Sequence, residues 1–207
     1  MKGENIMKVV ALNGSPRKNG NTFTALSRVC SVLNAEGIET EIVDIGSLKL
    51  TGCHACGYCS KNGKCAFDDE VNALAPKLLD ADGIVIGSPV YYADINATLK
   101  CFLDRFFFVY GKDERIRFKP GAAVVALRRA GAIHAYHSIN SYFGITEMLV
   151  TPSMYWNDVH GAAPGACADD AEGMQLMEAI GRNMAYLIKL RAESSIAPPE
   201  KLIKIKS

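Results

Sequence analysis

Apolar positions along the chain come in short runs, separated by longer stretches that repeat every three to four residues. Lys8 to Leu12 reads as a strand apolar on both faces, the signature of a buried parallel strand. Thr22 to Glu36 puts Phe23, Leu26, Val29, Cys30 and Leu33 on one helical stripe, and Gly37 ends it. Glu39 to Ile45 predicts a second strand, and Leu48 to Phe67 a long loop holding four cysteines. Asp68 and Asp69 open a helix to about Leu79, with the acids at its favourable end. Gly83 to Gly87 is the third strand, Ser88 to Asp94 a loop and Asn96 to Phe107 a helix. Ala122 to Leu127 is the fourth strand, Arg128 to Ala132 a loop and His134 to Phe143 a helix. Met148 to Thr151 forms a short strand whose pattern can continue to Trp156. Asn157 to Ala168 is a polar loop, and Asp169 to Arg191 the final helix.

Strands alternating with helices imply a parallel sheet covered on both faces. Five strands suit an α/β, flavodoxin-like, doubly wound sheet of order 2-1-3-4-5, whose ligand crevice lies outside the carboxyl ends of strands 1 and 3. With no internal repeat and no linker, residues 1–207 read as one domain. Residues 1–6 and 192–207 are expected to be loose tails, and residues 48–67 a cysteine-rich insertion.

Composition narrows the function classes. The net charge of +1 gives no nucleic-acid surface. No signal peptide is visible, and no apolar run approaches the roughly 18 residues of a membrane span. These features read as a soluble, cytoplasmic protein. Seven cysteines, an odd number without secretory features, point to thiol, metal or redox chemistry rather than a disulfide scaffold.

The richest candidate chemistry follows the first strand, in Asn13-Gly14-Ser15-Pro16-Arg17-Lys18-Asn19-Gly20-Asn21-Thr22. A helix start offers unpaired N–H groups and a positive dipole end, which suit a phosphate. Arg17 adds a forked cation, and Ser15 and Thr22 add hydroxyls. The stretch is neither a dinucleotide fingerprint nor a P-loop. It also lacks the acid of a receiver domain at the end of strand 1 and the cysteine of a low-molecular-weight phosphatase. A phosphomonoester cradle is the reading that remains.

Cys53-x-x-Cys56-x-x-Cys59, followed by Cys65, is open to three readings. A close run of thiolates can hold an iron–sulfur cluster, with Lys61 and Lys64 offsetting its charge. A zinc ion or a redox dithiol is the second reading, and free thiols the third. Tyr91 and Tyr92 can stack on a planar ligand or form a rim of the core. Lys100, Asp104 and Arg105 read as structural, and Phe106 to Tyr110 as core plus a subunit interface. His54, His134, His137 and His160 show no partner and receive no catalytic role. Cys30 and Cys101 read as buried small hydrophobes, and Cys167 has no assigned role.

With these loops in place, the chain resembles the NADPH-dependent FMN reductase family. The resemblance rests on Leu12 to Arg17 with Asn19 to Thr22, on Ala81-Asp82-Gly83, on Gly87 to Tyr91, and on Leu99-Lys100 with Leu103-Asp104-Arg105. It spans roughly residues 7–190. It implies that Ser15, Arg17, Asn21 and Thr22, with Asn19 beside them, hold an FMN phosphate. It implies that Pro89, Val90 and Tyr91 line the flavin ring and ribityl chain, with Tyr92 adjacent. Arg129 and Gly131 would edge the ring, from a loop poorer in glycine than is usual in the family. The four cysteines resemble those of the iron–sulfur flavoprotein subgroup, which binds a [4Fe–4S] cluster beside FMN. The implied activity is an FMN-dependent oxidoreductase. NAD(P)H or a ferredoxin would be the donor, and a quinone, nitro compound, flavin or protein the acceptor. A non-enzymatic electron carrier or redox sensor is the alternative. A homodimer or homotetramer is implied as well.

Overall fold

The computed structural model describes residues 6–202. Six parallel strands form its sheet: β1 (Lys8–Asn13), β2 (Glu39–Asp44), β3 (Gly83–Pro89), β4 (Pro120–Leu127), β5 (Leu149–Val150) and β6 (Asp158–His160). The order is β2-β1-β3-β4-β5, with β6 also paired to β4. The expected flavodoxin-like 2-1-3-4-5 sheet is therefore present, with its fifth position shared between two short strands.

Alternation along the central strands sorts two cores. Val10, Leu12, Ile84, Ile86, Ala123 and Val125 pack under α3 (Glu70–Asp80), α4 (Ala97–Tyr110) and α5 (Ala132–Ile145). Val9, Ala11, Val85, Ala122, Val124 and Ala126 pack under α1 (Asn21–Ala35) and α6 (Ala171–Glu193). The cysteine-rich stretch contains one short helix, α2 (Tyr58–Asn62), where a loop was expected.

The outer strand departs most from expectation. It does not run on to Trp156: pairing stops at Val150 and resumes at Asp158, inside the expected polar loop. Buried Asn157 closes the excursion between them. Its side-chain carbonyl accepts from Ser153 N (3.1 Å), its amide donates to the Thr151 carbonyl (3.4 Å), and its own carbonyl accepts from Val125 N (3.0 Å). Three residues of β4, Ala122 to Val124, lie between the registers of the two short strands, and the chain leaves that sheet edge between Val150 and Asp158. Residues 203–207 of the expected tail lie outside the described region, as do residues 1–5. Nearer the helix, the Pro199 carbonyl accepts from Arg117, and Lys201 donates to the Lys112 carbonyl and to Glu114.

One lysine is part of the core. Lys119, 1% exposed, donates to the carbonyls of Leu78 (2.7 Å) and Leu79 (2.8 Å), closing the C-terminal end of α3. Burial, with Arg191 adding repulsion, pushes its amine down to about 8. Lys119→Met is expected to cost about 1–3 kcal/mol at pH 7, because two buried carbonyls lose their donor. Between pH 8 and the unfolded lysine value the unfolded chain holds the extra proton, so the wild type gains stability with rising pH. Denaturant unfolding at several pH values should show the gap between wild type and variant widening above pH 8.

Candidate functional site

Asn13 ends β1 wholly buried, and its side chain organises the turn that follows. Its amide donates to Asp44 (2.8 Å) and its carbonyl accepts from Ser15 N (3.1 Å). Gly14 N donates to the Gly87 carbonyl (2.8 Å), which ties the turn to the end of β3. The Ser15 hydroxyl accepts from Arg17 N (3.1 Å), and Gly20 N closes onto the Arg17 carbonyl (3.2 Å). Arg17, Lys18 and Asn19 point outward at the surface, whereas Ser15, Gly20 and Thr22 are buried.

The start of α1 leaves its first N–H groups without a side-chain partner. Gly20 supplies no side-chain cap, and no acid occupies the first turn. By contrast α3, α4 and α6 are capped by Asp69, Asn96 and Asp170. The Thr22 hydroxyl is buried and has no hydrogen-bond partner among the described residues. A ligand oxygen can satisfy a buried, unpaired hydroxyl that lies next to uncapped N–H groups. These observations fit a phosphate group.

The Asn21 side chain is engaged within the protein. Its amide donates to the Gly161 carbonyl (2.9 Å), and its side-chain carbonyl accepts from Cys167 N (3.1 Å). The side chain therefore holds the segment after β6, while its backbone N–H stays in the first turn of α1. This also accounts for Cys167, which is buried with its thiol donating to the Asn21 carbonyl (3.4 Å).

Sequence reading missed Gly46. A Cβ there would lie 2.3 Å from the Ser15 carbonyl carbon and 2.4 Å from the Gly14 oxygen. Gly46 N also donates to the Asn13 carbonyl (3.1 Å). Its only sequence signal was a glycine just past a strand, which reads equally as a turn.

The loops after β3 and β4 meet at the same edge. Pro89 ends β3, and Val90 N donates to the Ala126 carbonyl (2.9 Å). Tyr91 and Asp94 bridge a tight turn whose central residues Tyr92 and Ala93 have φ of 48° and 62°. Asp94 fastens this turn by accepting from Ile95 N and the Ser138 hydroxyl (both 2.7 Å). Partial burial works against its charge, but Ser138, Ile95 N–H and His134 outweigh this and hold the carboxyl below the usual range. His134 thus has a partner, with Nδ1 3.7 Å from the Asp94 carboxylate. Tyr91 is exposed and Tyr92 projects fully into solvent. Gly131, φ 94°, packs so closely that a Cβ would lie 2.8 Å from Ala93 Cα. Arg129 and Gly131 line a cavity of about 340 Å³ with Tyr155, Trp156, Asp158 and His160.

The four loop cysteines face one small apolar cavity of about 20 Å³, which they share with Phe67, Arg105, Phe108 and Val109. All four are free thiols. Among the described residues, no three His, Cys, Asp or Glu side chains are gathered as a metal site. The donor set nonetheless suits an iron–sulfur cluster: four thiols, apolar walls and one cation. Cys53 and Cys56 are exposed, and positive φ at Ala55, Gly57 and Gly63 lets the chain double back around the cavity. His54 is engaged elsewhere, with Thr51 at 3.2 Å and its ring edge-on to Phe67.

Arg105 is structural as expected, bonding the Thr51 carbonyl of the cysteine loop, and it also reaches a cysteine sulfur. Its side chain is buried, bonds Asp69 with both arms (2.7 and 2.8 Å), and aims two N–H groups at the Cys65 sulfur (3.3 and 3.2 Å). Helical spacing alone gave no sign of this, because Cys65 lies 40 residues away. Lys100 and Asp104 do pair as expected, and the Tyr142 hydroxyl joins them. Cys30 is buried, whereas Cys101 is only half-buried. Phe106 and Phe107 are core, and Phe108 is exposed.

Comparison with known proteins gives four consistent likenesses. Residues 7–163 match the model of a family described as NADPH-dependent FMN reductase. An iron-sulfur flavoprotein of Methanocaldococcus jannaschii is 34% identical over 195 residues, covering 89% of this chain and 98% of the relative. Among solved structures, RosB with a bound formylated riboflavin phosphate superposes with a TM-score of 0.71 at 16% identity, covering 97% of this chain and 91% of that one. A flavodoxin from the domain Archaea superposes with a TM-score of 0.60 at 15% identity, covering 88% and 99%. These two structural likenesses establish the flavodoxin-like fold.

Proposed function

Because the chain belongs to the NADPH-dependent FMN reductase family, we propose that it is an oxidoreductase whose FMN lies across the carboxyl ends of β1, β3 and β4. Its loop cysteines would hold a [4Fe–4S] cluster. The observation that carries the flavin site is the uncapped start of α1 with the unpaired Thr22 hydroxyl beside it.

In this reading the first-turn N–H groups of α1 and the hydroxyls of Ser15 and Thr22 bind the phosphate. Arg17 and Asn19 close over it from the surface, and Asn21 contributes its backbone rather than its side chain. Pro89, Val90 and Tyr91 orient the ring and ribityl chain, with Tyr92 at the rim and Arg129 and Gly131 along the far edge. Bound FMN supplies hydride or single-electron transfer, and the protein needs no nucleophile of its own. Apolar Val90 and the packed Ala93–Gly131 contact keep water from the inner side of that edge. Cys53, Cys56, Cys59 and Cys65 would hold the cluster, which supplies one-electron chemistry. NAD(P)H or a ferredoxin is the proposed donor, and a quinone, nitro compound, flavin or protein the acceptor.

Oxygen-free purification followed by flavin, iron and sulfide analysis tests both parts. The expected result is about one FMN and about four irons per chain. A chain without flavin absorbance that also fails to bind added FMN overturns the flavin reading. Steady-state consumption of NADPH with a quinone separates an enzyme from an electron carrier that lacks turnover.

A further inference from the structure

We propose that Arg105 is a positioning residue for the cluster: it fixes Cys65 as the preformed ligand and places a permanent positive charge against its sulfur. The inference rests on the cluster reading above and extends it to a residue outside the ligand set.

The four cysteines are not equivalent. Cys53 and Cys56 are exposed, and the Cys53 sulfur accepts only the local Ala55 N–H (3.5 Å) among the described hydrogen bonds. Cys65 is held on every side. Its N–H donates to the Asn72 side-chain carbonyl (2.9 Å), and its own carbonyl accepts from the Asn72 amide (3.0 Å). The Tyr110 hydroxyl donates to that same Asn72 oxygen (3.1 Å), so α3 and α4 jointly grip the backbone of Cys65. The sulfur itself receives Nε and Nη2 of Arg105 at 3.3 and 3.2 Å.

Arg105 cannot leave this position readily. Its guanidinium is pinned by Asp69, the N-cap of α3, and reaches the Thr51 carbonyl at the start of the cysteine segment (3.4 Å). Its face lies over the Phe67 ring, 4.9 Å from the centroid. One buried cation therefore touches both ends of the cysteine segment. Lys61 and Lys64, by contrast, are solvent-exposed, where water and salt screen them.

Two consequences follow. Loading needs the three loop cysteines to close onto one fixed thiolate, so Arg105 lowers the ordering cost of cluster assembly. Hydrogen bonds and positive charge at a ligating sulfur favour the more reduced, more negative cluster, which raises its reduction potential. Asp69 opposes this with a negative charge behind the guanidinium. Loss of Arg105 and loss of the Asp69 charge are thus predicted to move the potential in opposite directions. A merely structural disturbance of the pocket would not do so.

The experiment compares wild type, Arg105→Gln, Arg105→Lys and Asp69→Asn after oxygen-free reconstitution with iron and sulfide. Iron per chain and the cluster midpoint in a dithionite titration are read, with the FMN midpoint as internal control. Arg105→Gln is expected to hold less iron and to reduce about tenfold less favourably, a shift of about −59 mV for one electron. Arg105→Lys keeps the charge but not the fork, and should recover most of the potential with part of the iron loading. Asp69→Asn should shift the midpoint upward. If Arg105→Gln does not fold, the opposite-sign shift of Asp69→Asn and the partial rescue by Arg105→Lys decide the matter. Full iron with an unchanged midpoint in both Arg105→Lys and Asp69→Asn overturns the proposal, as do shifts of the same sign. A wild type that takes up no iron overturns the cluster reading itself, and with it this inference.

Discussion

Ser15→Asp is expected to abolish FMN binding at the proposed site while leaving the fold intact. Ser15 is buried between Asn13 and the start of α1, and its hydroxyl already accepts from Arg17 N. A carboxylate there still accepts that bond, and at a helix start it is worth up to about 1 kcal/mol to the empty protein. Toward a phosphate the sign reverses. Two like charges about 4 Å apart at an effective dielectric of 20 repel by about 4 kcal/mol, close to a thousandfold in Kd. Flavin fluorescence titration should show binding lost, and thermal unfolding of the flavin-free variant should match or exceed wild type. Thr22→Val is the milder companion. It removes a buried hydroxyl that has no partner among the described residues, so the empty protein should be no less stable. FMN affinity should fall about tenfold, by the loss of one ligand hydrogen bond of roughly 1.5 kcal/mol. Retention of FMN by Ser15→Asp within a few-fold of wild type would place the phosphate elsewhere.

Gly46→Ala damages the same site from behind. The added methyl would lie 2.3–2.5 Å from the backbone of Gly14 and Ser15, where no side chain can rotate away. The segment after β2 also donates two N–H groups to the Asn13 carbonyl, from Ile45 (2.9 Å) and Gly46 (3.1 Å). Relief of the clash therefore breaks those bonds or pushes the turn off the end of β1. The expected cost is about 3 kcal/mol in stability, at the upper end for overpacking. FMN affinity should fall at least about a hundredfold, as a displacement of about 1 Å does to a preorganised site. Gly52→Ala is the control, since a Cβ there meets nothing within 4 Å. Chemical denaturation and FMN titration of the two variants test this. Equal behaviour of Gly46→Ala and Gly52→Ala would remove Gly46 from the site.

Much of the architecture was legible because it is written in local pattern. Buried parallel strands are unbroken apolar runs, so β1, β3 and β4 stood out, and Asp68-Asp69 and Gly37 marked helix ends. The turn proposed to hold the phosphate was legible for a similar reason: its hydroxyls, its cation and the helix start lie within ten residues of one another. The short outer strands were not. With two and three residues each, they carry too little pattern, and the pairing of β6 depends on Asn157 closing a loop.

Sequence by itself determined the sheet order, the glycine-bearing turn after β1 and the set of four thiols, because each is a matter of residue type at short spacing. Tertiary structure alone decided what the side chains do with those positions. It spends the Asn21 amide on the Cys167 segment, sets Gly46 against the Ser15 backbone, and brings Arg105 to the Cys65 sulfur across 40 residues. The physical reason is that a hydrogen bond or a close contact depends on distance in space, and chain separation says nothing of that distance until the sheet and its helices have packed.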